Sequence, residues 1–135
     1  MKTKVIPRGI RNNNPLNIRV GNVWLGELKN PTDPHFEQFK SMEFGLRAGF
    51  VLIRRFIRHY KRQTIEDIIS SWAPSNENNT RAYIDTVVRV SGIPRNEILH
   101  YSNKDTMCKL VDAMCFVENG THVSMEKISK GYDLA

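Results

Sequence analysis

Cysteine is nearly absent from this chain: Cys108 and Cys115 are the only two in 135 residues. Seven positions apart on one helix, their backbones would lie roughly 10 Å from each other, beyond disulfide reach. They are expected to be reduced core or boundary residues. Neither belongs to a C-x-x-C or Cys/His arrangement, so no zinc site is expected. His35, His59, His100 and His122 are scattered along the chain. Long apolar runs are missing too, so no membrane span is expected. The opening M-K-T-K-V-I-P-R-G has no apolar core of the secretory kind. Synthesis in the cytoplasm without a signal peptide is the expectation. There is no internal repeat, low-complexity tract or linker, which predicts one domain over residues 1–135. Acidic residues are few, 14 against 20 Lys and Arg, giving a net charge of +6. That excess suits a polyanionic partner such as nucleic acid, a cell wall or a membrane surface.

What is present is mostly helical pattern. Ser41 caps a long expected helix over 42–61, with Leu46, Phe50, Ile53, Ile57 and Tyr60 on one side and Phe44, Val51, Leu52 and Phe56 widening the stripe. Arg47, Arg54, Arg55, Arg58 and Arg62 fall on its other side. That face is either plain solvated surface or an anion-facing one. Thr64 caps a second helix carrying Ile65, Ile68, Ile69 and Trp72, ended by Ala73-Pro74. Asn79 or Thr80 caps a third through Ser91, with Tyr83, Ile84, Val87 and Val88 inward. Ser102 caps a fourth, and a last short helix starts near Ser124. Between Asn17 and Leu28 the alternation of Ile18 and Val20, the Gly21-Asn22 turn and Val23 to Leu25 predict a hairpin. Phe36 and Phe39 suggest a further short strand over 35–40. The expected fold is therefore mainly α, with a central apolar helix and a small N-terminal β hairpin.

Two stretches could carry chemistry. In 107–120, Met107, Leu110, Val111 and Met114 form one apolar stripe, and Glu118 continues it. Asn119 and Gly120 then stop the helix. Glu118 would sit in the last turn, where the helix dipole and partial burial both disfavour its charge. Such a carboxyl group can hold its proton as a general acid must. The competing reading is a solvated Glu at a frayed helix end. In 8–19, R-G-I-R-N-N-N-P-L-N-I-R, three Asn residues precede Pro15. Their amides either cap their own loop or read a polar ligand such as a sugar.

These stretches join others in one order: R-G-I-R-N-N-N-P-x-N-I-R, W-x-G at Trp24, F-x-Q-F at Phe36, G-x-R-A at Gly45, W-A-P-x-x-E-N-x-T-x-x-Y over 72–83, and E-N-G at Glu118. The set resembles phage and prophage peptidoglycan-degrading proteins, and runs over nearly the whole chain. That family usually has Gly where this chain has Leu16. If the position needs positive φ, Leu is costly there. The chain is also similar to lysozyme-like transglycosylases and glucosaminidases. There a helix ending in E-S-G carries the catalytic Glu, followed by an N-L-F-G-I-K-like segment and a hairpin with W-x-G. Here the same parts look circularly permuted, and joining neighbouring termini would restore their order.

The resemblance implies a lysozyme-like murein glycosidase, a lytic transglycosylase or muramidase, cutting the β-1,4 bond between N-acetylmuramic acid and N-acetylglucosamine. It implies Glu118 as general acid, with Asn12, Asn13, Asn14, Asn17 and Trp24 lining the glycan cleft. Glu77 is the reserve carboxylate, or simply a helix cap, with Glu27 and Asp33 behind it. No metal or organic cofactor is implied, and the implied partners are peptidoglycan glycan strands and other virion proteins. The implied place of action is the cell wall or periplasm, reached through a holin or with the virion. Two other classes stand beside this one: a non-catalytic virion or cell-wall-binding protein of the same fold, and a basic nucleic-acid-binding domain. Nucleic acid is the weakest, because aromatics are not interleaved with the basic face and no reader motif is present.

Overall fold

A computed structural model describes residues 5–75 and 79–135. The chain is mainly helical: α1 (Arg8–Arg11), α2 (Met42–Arg58), α3 (Ile65–Trp72), α4 (Thr80–Ser91), α5 (Lys104–Asn119) and α6 (Met125–Leu134). The helices begin where their caps predict. Ser41, Thr64, Asn79 and Ser124 each accept a hydrogen bond from a backbone N–H in the following first turn. The cap of α5 is Asn103 rather than Ser102; its side chain accepts from Thr106 N. The long helix stops at Arg58, short of the expected Lys61, because Tyr60 N bonds back to Arg55 O and Lys61 takes φ 57°. α5 packs on α4, α6 and α1, whereas α2 packs on α6 and α3. The helix expected at the centre thus shares that place with α5, whose Met107, Leu110, Val111, Ala113, Met114 and Cys115 are all fully buried. Cys108 and Cys115 are free thiols. No helix among the described residues is long and apolar enough to cross a membrane.

The expected hairpin is not formed, and no strand is found among the described residues. Residues 35–40 instead run between the two arms that were expected to pair with each other. On one side Arg19 bridges Phe36, with Val20 N donating to His35 O and Glu37 N to Ile18 O, both at 3.0 Å. On the other Glu27 bridges Phe39, with Leu28 N donating to Gln38 O and Lys40 N to Gly26 O. The physical reason is burial. Val23 is 95% and Leu25 61% exposed, so they offer no apolar face to pair against Ile18.

The Asn-rich segment docks this small β-like layer onto the helices. A Cβ on Gly45 would stand 1.9 Å from the carbonyl oxygen of Asn13, and one on Gly49 would stand 2.2 Å from Leu16 Cδ1. Glycine at 45 lets the backbone at Asn13 lie this close to α2, and glycine at 49 leaves room for the Leu16 side chain. Leu16 is fully buried there, and the positive φ values fall on Asn13 (54°) and Asn17 (50°). Leu16 therefore carries no left-handed strain, and its side chain fills the space above Gly49.

Candidate functional site

Glu118 stands in the last turn of α5, just before Gly120 takes the left-handed conformation (φ 69°) that closes the helix. The next residue, Asn119, donates from Nδ2 to Pro15 O at 2.7 Å and to Cys115 O at 2.9 Å, fastening the N-terminal loop to the helix end. Asn17 then reaches Glu118 directly. Its Nδ2 donates to Oε1 at 2.8 Å, across 101 positions of sequence. The Tyr83 hydroxyl, from the buried face of α4, donates to Oε2 at 2.9 Å. The N-terminal Asn segment therefore lies against the end of the Glu118 helix.

Both donors are neutral. Burial pushes the Glu118 carboxyl above its ordinary value, and the hydrogen bonds from Asn17 and Tyr83 only partly oppose it. Burial also pushes the Tyr83 phenol well above its usual range, with the Glu118 charge adding to the effect, so Tyr83 acts here as a donor. Glu118 lines a cleft of about 470 Å³. One wall is Leu16 to Arg19 with Asn22 and Phe36. The other is Leu52 and Phe56 of α2 with Ser71 to Pro74 at the end of α3. Apolar walls and a few convergent polar groups are the usual make-up of a small-ligand or sugar site. Among the described lining residues Glu118 is the sole carboxylate and Arg19 the sole cation.

The other expected site residues are placed differently. Asn14 is fully buried, its Nδ2 donating to Ile18 O and Glu37 O and its Oδ1 accepting from Ile18 N. Asn12 donates to Asp33 and accepts from Gln38, and Asn13 donates to Phe39 O. These three amides are committed to the loop itself, which is the self-capping arrangement. Trp24 is only 9% exposed and sits in the core, outside the cleft lining. Glu77 lies outside the described residues. Asp33 is bound by Arg8 through two hydrogen bonds of 2.7 Å. Glu27 accepts from Trp24 N, and its carboxylate joins burial in pushing Glu37 up to about 7. Neither Glu27 nor Asp33 lines the cleft. On the far flank of α2, Arg54 and Arg58 lie over the Tyr101 ring at 5.3 and 5.2 Å.

Tyr83, Phe36, Phe56 and Trp72 are the residues that sequence periodicity assigns to core or strand and the structure brings to the site. Tyr83 carried one signal beyond periodicity, as the last position of the W-A-P-x-x-E-N-x-T-x-x-Y stretch. No group of three or more His, Cys, Asp or Glu residues that could hold a metal occurs among the described residues.

No protein-family model matches the chain. It is 42% identical over 131 residues to a protein of Pseudoalteromonas phage PM2, Protein P5; the match covers 93% of this chain and 80% of that protein. Identity at that level over nearly the whole length means that the chain belongs to the family of phage PM2 Protein P5.

Proposed function

We propose that this protein is a peptidoglycan glycosidase with a lysozyme-like, circularly permuted arrangement, in which Glu118 is the general acid. The observation that carries this reading is the Glu118 carboxyl itself. It sits in a cleft, held by two neutral donors, with burial raising its pKa. A group so placed can protonate the glycosidic oxygen of a leaving sugar as oxocarbenium character develops. The Asn17–Glu118 contact supports the permuted order, since it joins the N-terminal Asn segment to the helix end that precedes it in lysozyme-like relatives. Asn17, Asn22 and Ser71 supply polar contacts along the cleft, and Phe36, Phe56 and Trp72 supply apolar faces for sugar rings. Tyr83 orients the carboxyl from behind.

The same reading favours a transglycosylase over an inverting hydrolase. Inversion needs a second carboxylate roughly 6.5–9.5 Å away to activate water. Among the described residues none but Glu118 lines the cleft. The substrate's own C6 hydroxyl would then attack the anomeric carbon as the glycosidic bond breaks; the leaving oxygen takes the Glu118 proton, and the resulting carboxylate takes the hydroxyl proton as the 1,6-anhydro ring closes. The protein would act at the cell wall, delivered by a holin or with the virion, with glycan strands and other virion proteins as partners. Mass analysis of material released from purified sacculi tests this. Anhydro-muropeptides are expected. Reducing-end products would keep the glycosidase and give Glu77 the role of base. Binding without any release would identify a wall-binding or virion protein that keeps the fold without the chemistry.

A further inference from the structure

Two guanidinium groups lie over the Phe36 ring: Arg8 is 4.5 Å and Arg19 5.0 Å from its centroid. The two cations differ in what else they touch. Arg8 gives Nε and Nη2 to the two oxygens of Asp33, so its charge is balanced within the protein. Asp33 also accepts from the backbone N–H groups of His35 and Phe36, which fixes the segment carrying the ring. Arg19 has no carboxylate partner among the described residues. It is exposed, lies against Phe36 and lines the cleft that holds Glu118. The Arg8–Asp33 pair thus builds a rigid aromatic plate, and the plate carries an uncompensated, planar cation at the lip of the cleft. A guanidinium stacked on a ring has lost part of its rotamer freedom before ligand arrives, and its fork of N–H donors matches a carboxylate.

We propose that Arg19 is the residue by which this cleft selects a glycan bearing carboxylate substituents over a neutral one of the same backbone. The inference rests on the glycan-cleft reading above. It adds that the substituent is read at the Phe36 lip, away from the carboxyl group on the cleft floor. The lactyl carboxylate of alternate sugars, free only on strands whose stem peptides have been removed, is the chemistry that fits. No second cation lines the cleft among the described residues, so the discrimination depends on this one side chain.

The test is equilibrium binding by full-length Glu118→Gln protein, which cannot turn over its ligand. Three tetrasaccharides are compared: one of N-acetylglucosamine alone, one alternating N-acetylglucosamine with peptide-free N-acetylmuramic acid, and the latter with its carboxyls amidated. The acid-bearing oligomer should bind about fivefold more tightly than either neutral one at low salt, the upper end for a partly exposed pair. The preference should shrink as salt rises. Adding Arg19→Gln should bring the ratio close to one, and Arg19→Lys should restore part of it. Initial cleavage rates of the parent and of Arg19→Gln on the same oligomers give the ratio a second time. Equal binding of all three oligomers, or a ratio that Arg19→Gln leaves intact, would overturn the inference and spare the glycan reading. Absence of binding by every oligomer would overturn both.

Discussion

Glu118 and Asp33 are both carboxyl groups reached by several hydrogen-bond donors, yet they titrate in opposite directions. Asp33 accepts from Arg8 twice, from Asn12, and from the backbone N–H groups of His35 and Phe36. The Arg8 guanidinium holds it well below the usual carboxylate range, against the opposing effect of burial. Glu118 accepts only from the Asn17 amide and the Tyr83 hydroxyl, and burial wins. The difference lies less in how many donors arrive than in whether one of them is charged. A cation balances the charge that burial penalises, while neutral dipoles do so only in part. Asp33 is thereby fixed as an ionised clasp. Glu118 is left facing a cleft with its affinity for a proton raised.

The largest effect separating the two is expected from Glu118→Gln. The amide keeps the shape and cannot give up a proton, so lysis of sacculi should fall by about a hundredfold or more. Stability should stay within about 1 kcal/mol of the parent, or rise, since functional sites often sacrifice stability. Asp33→Asn should show the reverse pattern. It strips Arg8 of its counter-charge and lowers the melting temperature more than Glu118→Gln does. Glu118 and its two donors remain in place, so lysis should fall far less than in Glu118→Gln; the fraction unfolded, measured by circular dichroism at the assay temperature, and a displaced Phe36–Arg19 lip account for what is lost.

Tyr83→Phe should have an intermediate effect. It removes one donor that favours the charged form of Glu118, so the alkaline limb of the pH–activity profile should move upward. Activity should drop severalfold, in keeping with about 1 kcal/mol for one hydrogen bond. An alkaline limb that moves downward would mean that Tyr83 does not act on this carboxyl.

The smallest effect is on the pH dependence of stability. A raised Glu118 pKa means that the folded state binds this proton more tightly than the unfolded chain does. Its contribution is therefore most favourable below the ordinary value of 4.5, and stability is lost as pH rises from there through the folded value. Asp33 has the opposite sign. Its contribution is complete above the ordinary value of 3.8 and is lost as pH falls toward the depressed one. Denaturant midpoints of Glu118→Gln against the parent should thus diverge in favour of the variant as pH climbs past 4.5, while those of Asp33→Asn should converge on the parent in acid.

Much of the helical part of this fold was legible because helix signals are local. The caps at Ser41, Thr64, Asn79 and Ser124, the stop at Gly120 and the apolar stripe ending in Glu118 all lie within a few residues of what they control. The stop after α2 and the choice of Asn103 over its neighbour Ser102 were not settled by pattern, since either S or N can cap. The β-like layer was illegible for a different reason. Pairing of Arg19 with Phe36 and of Glu27 with Phe39 is long-range, and the alternation in 17–28 suggested a partner too close in sequence. Glu118 could be singled out because its position breaks an apolar stripe. Tyr83, Phe56 and Trp72 continue theirs, so periodicity could not tell a cleft wall from a core. The three Asn amides gave no sign of which would turn inward. That depended on Gly45 and Gly49 admitting the loop against α2.

The most direct measurement is the site-resolved titration of Glu118 and Asp33 in the folded protein, followed by carbon-13 NMR of the side-chain carboxyls with Glu118→Gln and Asp33→Asn for assignment. A Glu118 midpoint above 4.5 and an Asp33 midpoint below 3.8 are expected, with Tyr83→Phe moving the first upward and leaving the second in place. A Glu118 midpoint at or below its ordinary value would rule out Glu118 as the acid of the cleft. The carboxyl would then be ionised early, and the cleft would hold no proton donor.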